Sequence, residues 1–183
     1  LKAIEANRDI YAAHLNDFLK HAEVFHQIKL HAEEPDENLP GWNNEFLPGL
    51  DIISIYGMLA KYNPKHYVEV GSGNSTKVVR KAIQEQNLKT KVTSIDPFPR
   101  ANIDHLADTV MRKPIEDLTD YSVIENLEAG DILFIDNSHR CFPNSDVTVC
   151  FLELLPMLKK GVIVHVHDIS VGIGIDQYES GDD

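Results

Sequence analysis

Cysteine is nearly missing from this chain. Two in 183 residues, Cys141 and Cys150, have neither metal-site nor redox spacing, which excludes a disulfide framework and a zinc cluster. Cys150 falls among Val147, Val149, Phe151 and Leu154 and is expected in the core. No run of about 18 apolar residues and no signal-peptide core occurs. Neither membrane insertion nor export is therefore expected, and the cytoplasm is the expected location. Positive charge is scarce as well: 17 Lys and Arg stand against 29 Asp and Glu, a formal charge of −12. That argues against nucleic acid as a partner, because phosphate binding needs clustered cations. An acidic cleft would instead attract a cationic ligand. There are no internal repeats and no low-complexity tracts, and 43% hydrophobic residues suffice for one domain with a real core.

What is present begins with helical periodicity over residues 1 to about 31. Ile4, Tyr11, Leu15, Phe18, Leu19, Ala22 and Phe25 form an apolar stripe, which predicts a lid or a subunit contact and so a homo-oligomer. His14, His21, His26 and His31 accompany it, but none of their gaps is three or four, the spacings that make helical neighbours. They read as solvated or packed side chains. A loop rich in Pro, Asn and acids runs from Glu33 to about Gly49, and Asp51 then begins a helix that Asn63-Pro64 ends. Residues 1–50 are thus an N-terminal helical extension with its loop, and residues 51–183 an α/β domain.

The α/β reading rests on four short apolar strands. Tyr67-Val68-Glu69-Val70 breaks into Gly71-Ser72-Gly73, and Ser75 or Thr76 is placed to cap the helix that follows. Such a strand, glycine turn and helix direct free backbone N–H groups and a helix dipole at a ligand. Lys91 to Asp96, Asp131 to Asp136 and Gly161 to Asp168 are three more strands, each ending in an acid. Ala107 to Arg112 reads as a short edge strand, Pro114 to Leu127 as a helix, and Asn144 or Ser145 as the cap of a helix through Leu155. The expected sheet is doubly wound and mostly parallel, in the order 3-2-1-4-5. Its ligand crevice lies where the order reverses, between the strands ending at Val70 and Asp136.

In this order and spacing, EVGSGNST, SIDPFPR, GDILFIDNSHR and LLPMLKKGVIVHVHDI resemble class I S-adenosylmethionine-dependent methyltransferases, of the branch that contains small-molecule O-methyltransferases. The resemblance covers about residues 43–169. It implies the Rossmann-like methyltransferase fold, a small-molecule acceptor and S-adenosylmethionine as cofactor. The family usually continues through two more strands, and only Ser170 to Asp183 follow here, so the last strands are expected to be lacking or truncated. A start at Leu1 rather than Met adds to the impression of an incompletely represented chain.

Glu69 bears on the ligand independently. A carboxylate before the glycines suits hydroxyl and ammonium donors and repels a pyrophosphate, which favours S-adenosylmethionine over NAD. Thr76, where a dinucleotide site wants a third glycine, argues the same way. The expected cofactor contacts are Glu69, Gly71, Ser72, Gly73, Ser75 and Thr76, with Asp96 and Pro97 beside the ribose. The family's adenine-edge position falls near Ile115 and Glu116.

Asp136, His139, His167 and Asp168 are the expected reactive group, since they end adjacent strands or lie on the loop above. Without a metal, His139 or His167 serves as general base. In metal-dependent relatives, the positions of Asp136, His167 and Asp168 hold a divalent cation. The histidine departs from that pattern and suits a softer ion than Mg²⁺. His165 lies one step deeper on the same strand face and reads as a core residue. The alternatives are a non-methyltransferase of the same fold, such as a metal-dependent hydroxylase-like enzyme or a cofactor-binding module, and, further off, an NAD-dependent oxidoreductase.

Overall fold

The computed structural model describes residues 2–99 and 102–169. The first residue of the expected N-terminal helix, Arg100 of the SIDPFPR stretch, and the Ser170 to Asp183 tail on which the expected loss of the last strands rests lie outside them. Five strands form one all-parallel sheet: β1 (His66–Val70), β2 (Lys91–Ile95), β3 (Thr109–Met111), β4 (Ile132–Ile135) and β5 (Ile163–Val166). Their order is β3-β2-β1-β4-β5, as the strand pattern predicts. Short Val- and Ile-rich strands buried on both faces are what a parallel sheet requires.

The register decides where chemistry can gather. Val70 is level with Ile95 on one side and Ile135 on the other, and Ile135 is level with Val166. The next residue of each strand therefore falls in one row along the carboxyl edge: Asp96, Gly71, Asp136 and His167. Backbone bonds hold the row, from Gly71 N–H to Ile95 O (2.9 Å), Asp136 N–H to Val70 O (2.8 Å) and His167 N–H to Ile135 O (2.9 Å). Gly71 sits at φ +84°, and a Cβ there would lie 1.9 Å from the Asp136 carbonyl oxygen. Only glycine lets β1 and β4 close on each other at this point.

Alternation along the strands sorts the core onto two faces. Tyr67, Ile132 and Phe134 pack with α4 (Gly49–Tyr62) and α5 (Asn74–Glu85), while Val68, Val70, Leu133 and Ile135 pack on the other face with Ile115, Ile124 and Val149. Cys150 is in the second cluster, where burial pushes its thiol up to about 11, consistent with an inert packing group.

Three local expectations are corrected. The N-terminal segment is not one helix: α1 (Lys2–Glu5), α2 (Arg8–Phe18) and α3 (Ala22–His26) are separated at Asn7, which takes a cap position, and by a 3₁₀ turn at Leu19–His21. Phe18 is buried against α4 at Gly57, where a Cβ would overlap its ring, while Ile4, Ile10 and Leu15 are exposed. Residues 114–127 form a 3₁₀ turn at Ile115–Asp117 and the single turn α6 (Ser122–Glu125). The chain goes extended at Leu118, and the Asp120 carboxylate accepts the Ser122 N–H at 2.8 Å, starting a fresh turn. Finally, Gly73 takes the cap of α5, and Thr76 reaches back, its hydroxyl accepting the Gly73 N–H at 3.1 Å.

The last helical stretch does start at Ser145, whose hydroxyl accepts the Thr148 N–H at 3.2 Å. It runs as α7 (Asp146–Val149), a π turn (Cys150–Leu154) and α8 (Leu155–Met157). No helix among the described residues is long and apolar enough to cross a membrane.

Candidate functional site

Two chambers open over the carboxyl edge of the sheet and meet at Phe46, Ser72 and Asp136. The larger, of about 680 Å³, is a cleft lined by Gly71, Asp96, Pro97, Ile115, Glu116, Asp136, His139 and Asp168, among others. The smaller, of about 560 Å³, lies over Ser72 to Ser75 under a roof loop that carries Glu34, Asp36 and Glu37. Asn44 fixes that roof. Its buried side chain donates to Gly41 O and Leu47 O, accepts the Phe46 and Leu47 N–H groups, and accepts from the Asn74 amide at 3.0 Å. Sequence reasoning passed over Asn44, although an Asn in a Gly- and Pro-flanked loop is a recognisable turn signal.

Asp96 stands at the cleft wall. Its Oδ2 accepts the Ser72 N–H (2.9 Å) and hydroxyl (3.1 Å), and its Oδ1 accepts the Phe98 N–H (2.8 Å). Each oxygen retains acceptor capacity, since a carboxylate offers about four lone-pair sites. Ile115 and Glu116 line the same cleft.

Glu69 is not in either chamber. Strand parity turns it toward α5, where it is 0% exposed and accepts the hydroxyls of Ser75 (3.0 Å), Thr76 and Ser94. Ser75 still lines the smaller chamber, while Thr76 is fully buried and Glu69 braces the turn from below. The ligand preference argued from a Glu69 contact therefore has no contact to act through. Burial pushes the Glu69 carboxyl up to about 7, against the pull of its three hydroxyl donors.

That shift has a testable sign. The folded state holds the proton more tightly than the unfolded chain, whose glutamate titrates near 4.5. The stabilisation is thus fully present below about 4.5 and is lost as pH rises through about 7, on the order of 3 kcal/mol in all. Urea denaturation between pH 5 and 8 should show the wild type losing stability relative to Glu69→Gln. Parallel curves would contradict the buried-acid account.

The four expected reactive residues do converge. His139 Nε2 lies 3.4 Å from Asp136 Oδ1 and 3.3 Å from Asp168 Oδ2. His167 Nδ1 lies 3.4 Å from Asp136 Oδ1 and 3.3 Å from Asp168 Oδ1. The two imidazoles differ in setting: His139 is exposed on the loop, whereas His167 is 2% exposed. Asp136, His139 and Asp168 bring three potential ligand atoms within 4.8 Å of one another. Asp146 steadies the loop by accepting the Ser138 N–H and hydroxyl, each at 2.6 Å. His139 and Asp168 have φ of +58° and +56°, in the left-handed region.

A fifth member came from outside the motifs. Asp51, at the start of α4, lies 3.9 Å from His167 Nε2 and 3.5 Å from His165 Nε2. His165 also packs edge-on against Phe134, with ring centroids 4.8 Å apart, so its core reading is only half of its role. His165 foremost holds the Asp51 carboxyl below its usual value, with burial opposing. Asp136 foremost raises the His167 pKa, helped by Asp168 and Asp51 and opposed by burial. No hydrogen bond to either ring nitrogen of His167 is well formed, so these are close charge contacts. Among three carboxylates the protonated form of His167 is the favoured one, and when charged it offsets part of the acid group.

Residues 68–169 match a family described as a methyltransferase domain. A protein of Archaeoglobus fulgidus, described as uncharacterized, is 25% identical over 138 residues, which cover 70% of this chain and 60% of that protein. The chain therefore spans about 60% of the length of the relative it matches.

Proposed function

The chain belongs to this methyltransferase-domain family, and we propose that it binds S-adenosylmethionine and passes the methyl group to an oxygen of a small-molecule acceptor. The observation that carries the oxygen reading is the placement of His139 in the cleft between two carboxylates. When bound, S-adenosylmethionine supplies a methyl already activated on sulfur, so the protein's work is placement and removal of the acceptor's proton.

The residues at the edge fit the cofactor. Asp96 has acceptor capacity for a pair of ribose hydroxyls, and Ile115 with Glu116 provides an apolar surface and a polar edge for adenine. The acids Asp96, Glu116, Asp136, Asp146 and Asp168 around the cleft favour a sulfonium and disfavour a pyrophosphate. In this reading His139 takes the acceptor proton, and Asp136 and Asp168 stabilise the imidazolium that results. His167 is left to hold the two acids in place, because its surroundings already favour the protonated ring.

A second reading is supported by the three ligand atoms within 4.8 Å. Two carboxylates and an imidazole facing an open cleft fit a borderline divalent cation better than Mg²⁺. Such an ion, held by Asp136, His139 and Asp168, would lower the pKa of the acceptor hydroxyl. Chelator-sensitive turnover would select this reading, and turnover indifferent to chelator would select the base.

Calorimetry tests the cofactor assignment. S-adenosylhomocysteine should bind and NAD⁺ should not. Asp96→Ala should weaken the nucleoside by about 1.5–3 kcal/mol, the range for hydrogen bonds to a charged group. Unchanged affinity in that variant would remove Asp96 from the ribose.

A further inference from the structure

One member of the reactive group comes from outside the segment that the family match covers. Asp51 precedes residues 68–169 and belongs to the first turn of α4, whose buried Ile52, Ile55, Tyr56 and Leu59 fix that helix on the sheet. Its backbone is held as well, the Asp51 N–H donating to Pro48 O at 3.0 Å. The carboxylate is therefore presented by a rigid element. Neither Asp51 nor His167 lines either chamber, so neither is placed to touch a molecule bound there. A role for Asp51 in the chemistry has to pass through other side chains.

Its two oxygens face two imidazoles. Oδ1 lies 3.5 Å from His165 Nε2, and the His165 ring is itself set edge-on against Phe134. Oδ2 faces His167 Nε2 at 3.9 Å. The other ring nitrogen of His167, Nδ1, faces Asp136 and Asp168 at 3.4 and 3.3 Å. His167 is buried with neither nitrogen hydrogen-bonded, so its polar surroundings are these three carboxylates. Burial spares such contacts the screening they would meet at the surface. Asp136 and Asp168 in turn flank His139 Nε2 at 3.4 and 3.3 Å. A chain of contacts thus runs from α4 to the base: Asp51, His167, the two acids, His139. We propose that Asp51 is a positioning residue, which through His167 sets where Asp136 and Asp168 stand around His139. This inference rests on the reading of His139 as the general base.

The test measures methyl transfer from S-adenosylmethionine on the full chain, with simple phenols and alcohols as probe acceptors. Asp51→Asn keeps the side chain's shape while removing its charge. Its kcat should fall about 10- to 100-fold, the scale of a reacting group misplaced by about 1 Å, with KM for S-adenosylmethionine unchanged. In a His167→Gln background, Asp51→Asn should have no further effect on kcat, because the link is already cut. An unchanged kcat in Asp51→Asn would overturn the inference. So would a raised KM with kcat kept, or losses that add in the double variant. If His167→Gln does not fold, the kcat and KM of Asp51→Asn decide alone. Binding of S-adenosylhomocysteine by the wild type without transfer to any probe would defeat the base reading, and this inference with it.

Discussion

Alanine at His139 is expected to lower turnover by about 10²–10⁴-fold, the usual consequence of losing a general base. Affinity for S-adenosylhomocysteine should barely change, because the imidazole sits among Asp136 and Asp168 and not against Asp96. The two imidazoles make the experiment discriminating. His167 is buried and flanked by Asp51, Asp136 and Asp168, so its removal leaves carboxylates facing one another without a counter-charge. His167→Ala should therefore cost stability as well as rate, whereas His139→Ala should cost rate alone. Single-turnover assays alongside urea denaturation separate the two. Equal loss of stability in both variants would mean that His139 is structural and that the base lies elsewhere.

Gly71→Ala should be the most damaging single methyl addition at the sheet edge. The added Cβ would meet a backbone oxygen at 1.9 Å, and φ is +84°. A left-handed conformation costs about 1–2 kcal/mol for a residue with Cβ, and overpacking typically adds about 1–3 kcal/mol. The expected destabilisation is roughly 2–5 kcal/mol, with cofactor binding lost because Ser72 and Asp136 are displaced together. Gly130→Ala serves as the control: φ is +91°, but nothing lies within 4 Å of the added Cβ. It should show the backbone cost without the clash. If the two variants unfold alike, the β1–β4 closure does not depend on glycine.

Most of the sheet was legible because its signals are local. Apolar runs bounded by Gly, Pro and acids mark β1, β2, β4 and β5, and the glycine turn after β1 with the acids after the other three marks the crevice. Asp136, His139, His167 and Asp168 could be grouped for the same reason, since the rules of parallel sheets bring adjacent strand ends together. What was not legible depends on parity or on distance along the chain. The motif shows Glu69 near the glycines, but only the strand's alternation turns it under α5. Asp51 reads as an ordinary helix start, and nothing local indicates that α4 delivers it to His167, 116 residues later in the numbering. The apolar content of residues 114–127 suggested a helix, but the turn chemistry of Pro114 and Asp120 divided it.

His139 and Asp168 adopt left-handed backbone conformations that residues with a Cβ enter at a cost. Glycine at either position would relieve that strain, and the relief offsets or exceeds the entropy glycine adds to the unfolded chain. His139→Gly should then fold at least as well as the wild type while lacking the imidazole. Selection for thermal stability alone would discard this side chain, and on the base reading a library screened only for robustness would drift toward folded, inactive protein. If His139 is the base proposed above, the two positions mark where stability and activity pull in opposite directions.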